Sequence, residues 1–409
     1  MSVFDELTGQ DRVVAELREA AAAAAGMLRA GRGAAARPPG GGGHRTPRPA
    51  ARAAMTHAWL FTGPPGSGRS VAARAFAAAL LCPDQGCGHC AACHQVLAGT
   101  HADLLLVRPQ GLSYSVKETR DLVLRAATAP VSGRWQCVIF EDADRATEQA
   151  ANALLKAIEE PAPRTVWLLC APYPDDLVPT IRSRCRLVTL RTPQSEAIAD
   201  VLTTRDGVDP DRALAAARAA QGHIGRARRL ATDPDAARRR DEVLRVPFSV
   251  DGLGAAMSAA ATLVKAAESE AKAISEELDE AETAELRRAF GEGSSGKGVA
   301  KAVRGAAGAL KELSDRQKSR STRMKRDALD RALLDLAGFY RDVLAIQFGA
   351  PVELANSELA DGVRELAAAS TPESTLQRTQ AIMQCRERID ANVHPLLAVE
   401  AMTLALRTG

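Results

Sequence analysis

Eight residues between an apolar segment and an alanine-rich segment place the strongest limit on how this chain can fold. They run from Gly63 to Ser70 and read GPPGSGRS, after the apolar AWLFT and before SVAARAFAAALL. A glycine-rich loop between a strand and a helix lets backbone N–H groups converge, and the helix N-terminus adds positive potential. The sequence therefore predicts a strand–loop–helix unit of an α/β domain, with a loop suited to phosphate.

The sequence around this loop alternates short apolar runs with helical stretches. The predicted strands are Ala58–Thr62, Leu104–Val107, Cys137–Phe140, Val166–Cys170 and Arg186–Leu190, and the predicted helices are Ser70–Leu81, Val116–Thr128 and Thr147–Glu159. Such alternation indicates a mostly parallel sheet with helices on both faces. After Thr192 the strand signals end. We therefore expect an α/β domain at residues 1–191, a three-helix lid at 192–238 and an all-α domain at 239–409.

Two segments depart from this pattern. Residues 31–55 are rich in Gly, Pro and Arg and follow an alanine-rich helix predicted at 11–30. This composition does not favour a packed helix or strand, so we predict a disordered insertion, with a basic loop that touches nucleic acid as the alternative. Residues 310–331 are highly charged and predict a long solvated helix, although a role in DNA contact stays open there.

Charge and hydropathy limit the classes of function. The net charge of +3 over 409 residues argues against a histone-like DNA wrapper but leaves local basic patches open. No apolar stretch reaches the roughly 20 residues that a membrane-spanning helix needs. The first residues, MSVFDELTGQ, are polar and acidic, unlike a secretory signal. We expect a cytoplasmic protein with reduced thiols and no membrane partner.

Half of the eight cysteines crowd into one short segment. They are Cys82, Cys87, Cys90 and Cys93. Tight CxxC spacing brings thiolates to one tetrahedral ion, and four thiolates leave no open position, so we predict a structural zinc site. His89 and His94 are nearby and are possible substitutes as ligands. Free thiols or a disulfide pair are the alternatives.

The loop and the acids after the third strand depart from the pattern of an active nucleotide site. Arg69 stands where a P-loop has lysine, and the forked guanidinium is not equivalent to an ammonium. Glu141 and Asp142 stand where P-loop proteins hold Mg²⁺ and polarise water, each differing from the usual acid by one methylene. The candidate contacts are Gly63, Gly66, Ser67, Gly68, Arg69, Ser70, Glu141 and Asp142. ATP or ADP at a degenerate site is one interpretation, and a loop that only joins strand to helix is the other.

A last motif, PTIRSRC, begins at Pro179 and ends at Cys185, directly before the fifth predicted strand. By itself it shows only two neighbouring arginines, Arg182 and Arg184, and surface salt bridges are the simplest interpretation.

Taken together, these segments resemble bacterial DNA polymerase III clamp-loader AAA+ proteins. The resemblance rests on FDELTGQDRVVAELREA, HAWLFTGPPGSGRS, the cysteine cluster, VIFEDADRATEQAANALLKAIEEP and VPTIRSRC. The hallmarks are NALLKAIEEP at Asn152–Pro161 and Ser-Arg-Cys at residues 183–185. It covers residues 1–230 strongly, whereas the helical remainder matches the family's collar domain in character, with RALLDLAGFYRDVL at Arg331–Leu344.

Within the family, the departures resemble the delta-prime branch rather than the gamma/tau branch. They are Arg69, the pair Ala171 and Pro172 after the fourth strand, and Gly225 where gamma/tau-like sequences have a phosphate-sensing arginine. The resemblance then implies that Arg184 is an arginine finger acting in trans and that Ser183 fixes its turn, with Arg182 as the rival. Residues 4–14 would cover the adenine side of the pocket.

The resemblance also implies partners. They are the gamma/tau and delta subunits of a hetero-pentamer, the sliding clamp and primer–template DNA. This chain would carry no polymerase chemistry, although it belongs to a DNA-directed DNA polymerase holoenzyme, and its own ATPase would be weak or absent. The alternatives are a catalytically active gamma/tau-like ATPase and, from another class, a zinc-ribbon nucleic-acid binder.

Overall fold

The computed structural model of the chain describes residues 2–35, 54–109, 111–132, 134–289 and 299–408. These residues form two compact units. The first is Met1–Pro109, Ser113–Gly207 and Gly222–Arg226, and the second is Gln110–Leu112, Val208–Gln221 and Ala227–Gly409. The division into three domains that the sequence predicts stays a prediction.

The first unit contains a five-stranded sheet in the described part of the chain. Its strands are β1 (Ala58–Thr62), β2 (Leu104–Val107), β3 (Gln136–Phe140), β4 (Thr165–Ala171) and β5 (Arg186–Thr189). The order is β2-β3-β4-β1-β5, and every neighbouring pair is parallel. All five predicted strands are present, with bounds that differ by at most one residue.

Seven helices that lie wholly in this unit accompany the sheet among the described residues. They are α1 (Asp11–Ala35), α2 (Arg69–Leu81), α3 (Ala91–Ala98), α4 (Val116–Ala126), α5 (Glu148–Glu159), α6 (Pro179–Arg182) and α7 (Ser195–Asp206). Local capping fixes two of the starts. The Ser115 hydroxyl accepts from the amide of Glu118 in a capping box, and Thr147 caps α5 through the amide of Ala150.

Strands β1, β3 and β4 are buried along their whole length, which explains their nearly continuous apolar runs, whereas the edge strand β5 is partly exposed. On one face Trp59 and Phe61 pack with Phe76 of α2. On the other face Leu60 and Trp167 join the core that includes α4 and α5. The α/β class that the sequence predicts is confirmed.

The predicted insertion needs a correction at its start. Helix α1 continues to Ala35, so residues 31–35 are helical rather than disordered. An alanine-rich run extends a helix at little cost, and the few glycines at 31–35 did not stop it. At the other end Met55 is buried in the core. Residues 36–53 lie outside the described residues, so the predicted disorder of this segment stays a prediction.

All regular secondary structure in the described residues of the second unit is helical. Its helices are α8 (Pro210–Ala219), the larger part of α9 (Ile224–Thr232), α10 (Pro234–Leu244), α11 (Leu253–Ala289), α12 (Val299–Gln347), α13 (Ala360–Ala369), α14 (Pro372–Asp390) and α15 (Pro395–Thr408). Their core includes Leu333, Phe339 and Val343 of α12 and Val399 and Met402 of α15. Among the described helices, none is both long enough and apolar enough to cross a bilayer.

The sequence predicted a solvated helix for the charged segment 310–331, but one side of this segment is covered by another helix. It lies within α12 and packs along α11. Arg320 forms ion pairs with Asp279 and with Glu282, the latter at 2.7 Å. The Gln317 side-chain amide donates to the backbone oxygen of Asp279 at 3.0 Å. Opposite charges on two facing helices, rather than water, therefore satisfy part of this run.

Candidate functional site

The carboxyl ends of three adjacent strands bring the predicted nucleotide residues together. Gly63 follows β1, Glu141 follows β3, and Ala171 ends β4, which lies between those two strands. The Gly63 amide donates to the Pro172 carbonyl at 3.0 Å, which ties the loop to the end of β4. This edge of a parallel sheet is where α/β proteins bind ligands.

Glycine conformation gives the loop its shape. Gly63, Gly66 and Gly68 all have positive φ, of +147°, +89° and +92°. A side-chain carbon at Gly66 would lie 2.5 Å from Cβ of His223, so residue 223 closes over the loop. Ser67 is buried, and its hydroxyl has no hydrogen-bond partner among the described residues. An unpartnered hydroxyl beside a helix N-terminus fits a phosphate oxygen.

The cation of the loop is already engaged. Arg69 begins α2, and the half-buried Ser70 follows it. Nη1 of Arg69 donates to the Gly63 carbonyl at 2.9 Å, so the guanidinium spans the loop from its last turn to its first residue. A lysine would instead offer one compact charge to a phosphate.

Two arginines that the sequence analysis missed hold Glu141. Arg74 of α2 approaches it at 3.1 Å, and Arg108, directly after β2, approaches at 2.7 Å. The Glu141 side chain is only 10% exposed, and the Tyr114 hydroxyl donates to its backbone carbonyl at 2.5 Å. A carboxylate held by two guanidinia is not free to ligate Mg²⁺. The sequence signal for Arg108 was its place directly after the predicted strand Leu104–Val107, but its pairing with Glu141 depends on β2 lying beside β3.

The next acids are also constrained. Asp142 adopts a left-handed conformation, with φ +49° and ψ +51°. Asp144 is partly buried beside it, and its Oδ1 atom has no hydrogen-bond partner within the described residues. Burial, together with the negative charge of Asp142, raises the pKa of Asp144 above its ordinary value. The carboxyl edge of the sheet therefore contains Asp144, whose pKa is raised, and Glu141, which is ion-paired with two arginines.

The four predicted zinc ligands lie together at the other end of α2. Their sulfur atoms all lie within 4.8 Å of one another. The Sγ atom of Cys82 is 3.7 Å from that of Cys87 and 3.6 Å from that of Cys90. A tetrahedral zinc with Zn–S bonds of about 2.3 Å needs sulfurs about 3.8 Å apart, whereas a disulfide needs about 2.05 Å. The donor set fits a structural zinc ion.

Backbone N–H groups donate hydrogen bonds to these sulfurs. The amide of Gly88 donates to Cys93 Sγ at 3.4 Å, and the amide of Asp84 donates to Cys82 Sγ at 3.3 Å. Hydrogen bonds from the backbone, first that of His89, lower the pKa of the Cys87 thiol to about 6, while burial raises the pKa of Cys93. These hydrogen bonds favour the thiolate form of Cys87, which is the form that binds zinc.

The cysteine segment is part of the α/β unit rather than a separate module. Helix α3 packs on α2, and the Val3 amide donates to the Gly86 carbonyl at 3.1 Å. In the N-terminal segment Phe4 and Leu7 are buried in the same core. This packing disfavours the stand-alone zinc-ribbon interpretation, while the adenine role of residues 4–14 stays a prediction.

The arginine motif lies on α6 and the turn that follows. Arg184 Nη1 donates to the Thr180 carbonyl at 2.7 Å and to Ser183 Oγ at 3.3 Å, and its Nη2 lies 2.5 Å from Glu159. The Ser183 hydroxyl in turn donates to the Thr180 carbonyl at 3.2 Å. The rival Arg182 forms an ion pair with Asp175. Glu159 was not among the candidate site residues that the sequence indicated.

The fold and the site define a P-loop α/β subunit with a cysteine cluster and an exposed arginine. The family model described as "DNA polymerase III, delta subunit" matches residues 47–194, and that of its C-terminal region matches 324–407. Together the two models cover more than half of the chain, which belongs to this family of DNA polymerase III subunits.

Individual relatives agree with this family. The chain is 28% identical to DNA polymerase III subunit delta' of Bacillus subtilis, over 87% of this chain and 92% of the relative. It is 42% identical to the delta' subunit of Pseudomonas aeruginosa, over 33% of this chain and 43% of that relative. The gamma/tau subunit of Mycobacterium tuberculosis is 34% identical over 39% of this chain and 29% of its own length.

Proposed function

We propose that this chain is the delta-prime subunit of a DNA polymerase III clamp loader, in which Arg184 completes the ATP site of a neighbouring subunit. In this role it assembles with gamma/tau and delta subunits and helps load the sliding clamp onto primer–template DNA. The similarity to a delta' subunit along nearly its full length supports the proposal. Zinc would act as a structural cofactor, in a cytoplasm that keeps the thiols reduced.

The position of Arg184 on the sheet carries the proposal. Arg184 lies two residues before β5, at the amino end of the strands, whereas the loop at Gly63 follows the carboxyl end of β1. The register pairs Trp59 with Arg186, so at least four residue steps separate the two levels, about 13 Å along the strands. An arginine side chain does not span that distance. Its side chain is 38% exposed and is available to another molecule.

The chain's own loop supports a helper role rather than a motor role. Arg69 is hydrogen bonded within the loop, and Glu141 is neutralised by Arg74 and Arg108. Hydrolysis needs a free cation on the phosphates and a free carboxylate for Mg²⁺ and water. The unpartnered Ser67 hydroxyl leaves room for bound ATP or ADP without turnover.

The test is the ATPase of a reconstituted loader, stimulated by clamp and primed DNA, with Arg184→Ala in place of the wild-type chain. An arginine finger is worth about 10³-fold or more in rate at the site it completes. We expect a large loss of stimulated turnover in a complex that still assembles. Arg182→Ala is the matched control, since Arg182 lies two residues away and pairs with Asp175.

An unchanged rate with Arg184→Ala, or an equal loss with Arg182→Ala, would overturn the finger assignment. A separate assay addresses the gamma/tau-like alternative. Turnover of ATP by the isolated chain that Arg69→Ala abolishes would make this chain a motor. We expect no such turnover above background.

A further inference from the structure

We infer that Glu159 is a positioning residue that holds the Arg184 guanidinium in an ion pair within this chain until a neighbour's phosphate displaces the Glu159 carboxylate. We call this ion-paired arrangement the parked state. This inference rests on the function proposed above for Arg184. Both terminal nitrogens of Arg184 are engaged within this chain, Nη1 by Thr180 and Ser183 and Nη2 by Glu159. The guanidinium must leave at least one of these contacts before it reaches another subunit.

The groups around Arg184 in this chain share the negative charge and the oxygen acceptors of the phosphate that Arg184 is proposed to bind. Glu159 is the last residue of α5, where the helix dipole places partial negative charge, and Glu160 follows directly. A carboxylate is disfavoured at this end of a helix, and a cation is favoured. The helix terminus, the Glu159 carboxylate and the Thr180 carbonyl together give Arg184 an anionic environment in the absence of nucleotide. A phosphate offers the same guanidinium a similar two-oxygen partner.

The exposure of the pair makes the exchange possible. The side chains of Arg184 and Glu159 are 38% and 42% exposed. An ion pair of this kind is weak, because water competes for both charges and salt screens them. It is strong enough to bias the direction of one side chain, yet a more highly charged phosphate can replace the carboxylate.

The parked state predicts a specific kinetic signature. Glu159→Gln keeps the size of the side chain but removes its charge. We expect the ATPase of the reconstituted loader without clamp and DNA to rise about two- to fivefold, which is the range for an exposed ion pair. The rate with clamp and DNA should stay at the wild-type value, because the phosphate then holds the guanidinium. The stimulation ratio therefore falls, and Glu159→Asp should restore part of it.

Two controls separate this effect from a change in folding or in bulk charge. Glu160→Gln removes the same charge from the same helix end, and among the described residues no ion pair involves Glu160. We expect it to leave both rates unchanged. The difference between wild type and Glu159→Gln should also disappear at high salt, where the exposed pair is screened.

The outcomes distinguish this inference from the proposed function. If Arg184→Ala lowers the stimulated rate while Glu159→Gln leaves the unstimulated rate at the wild-type value, the finger stands and the parked state is overturned. A fall in the stimulated rate with Glu159→Gln, or an equal rise with Glu160→Gln, overturns it as well. If the rise also occurs when Arg184 is already alanine, Glu159 does not act through Arg184. If Arg184→Ala itself has no effect, the proposed function fails first.

Discussion

The two ends of the parallel sheet contrast sharply in what their charged residues are doing. At the carboxyl end, Glu141 is nearly buried and shared between two guanidinia, and Arg69 is hydrogen bonded to its own loop. At the amino end, an exposed ion pair joins Arg184 to Glu159. The loop at the carboxyl end departs from the P-loop pattern, whereas the arginine motif and the four cysteines are complete.

The difference shows how burial decides what an arginine and a carboxylate can do. A buried carboxylate between two cations loses much if either partner leaves, because an uncompensated charge stays in a poorly hydrated place. An exposed pair loses little, because water takes over. The first arrangement therefore holds the side chains at the carboxyl end in place. The second leaves the Arg184 side chain able to exchange its carboxylate partner for another anion.

The zinc cluster should give the largest effect. Structural zinc contributes its binding free energy directly to folding. We expect Cys82→Ser, or removal of the metal by a strong chelator, to lower the free energy of unfolding by several kcal/mol in denaturant titrations. The untreated chain should contain one zinc by elemental analysis, and Cys385→Ala, a buried cysteine outside the cluster, should keep it. An equally stable chain purified without zinc would show that the four cysteines do not form a structural metal site.

The ion cluster at the carboxyl end should come next. Glu141→Gln leaves Arg74 and Arg108 facing each other without a counter-charge, and we expect a loss of about 2 kcal/mol in the free energy of unfolding. The figure is kept low because Arg108 is half exposed. Glu159→Gln is the matched variant at the amino end, with an expected loss below about 1 kcal/mol. Equal losses of unfolding free energy in the two variants would show that the ion pairs at the two ends of the sheet do not differ in strength.

The raised pKa of Asp144 gives a smaller, pH-dependent effect. The folded state holds a proton that the unfolded chain releases, so the free energy of unfolding falls as pH rises from the ordinary aspartate range through the raised pKa. Asp144→Asn should therefore stabilise the chain at neutral pH by less than about 1 kcal/mol, and the gain should shrink as pH is lowered. Urea unfolding at several pH values measures this, and a gain that does not shrink at low pH would contradict it.

The smallest effect is expected from restoring the lysine of the loop. Arg69→Lys supplies the usual cation, but Glu141 remains held by Arg74 and Arg108, so ATP turnover of the isolated chain should stay at background. Phosphate release measured with Mg-ATP checks this. Turnover in Arg69→Lys alone would mean that the ion cluster opens easily and that the two ends of the sheet do not differ as described.

Local patterns predicted much of this molecule correctly. Apolar runs and a glycine-rich loop were sufficient to place all five strands, because central strands buried on both faces are mostly apolar. Cysteine spacing was sufficient to bring four sulfurs together, since ligands three to five residues apart in a short loop are held close to one another. The extent of α1 was missed, because residues 31–35 continue an alanine-rich helix that their own composition did not predict.

The sequence by itself determined the class of fold, the cysteine cluster and the candidate nucleotide and arginine motifs, because each depends on residues close together in the chain. Only the tertiary structure decided which charges meet. Arg108 precedes Glu141 by 33 residues, and Glu159 precedes Arg184 by 25 residues, and each pair forms because strand order and helix direction bring distant ends together. Charge pairing across a fold depends on topology and burial, and neither can be read from neighbouring letters.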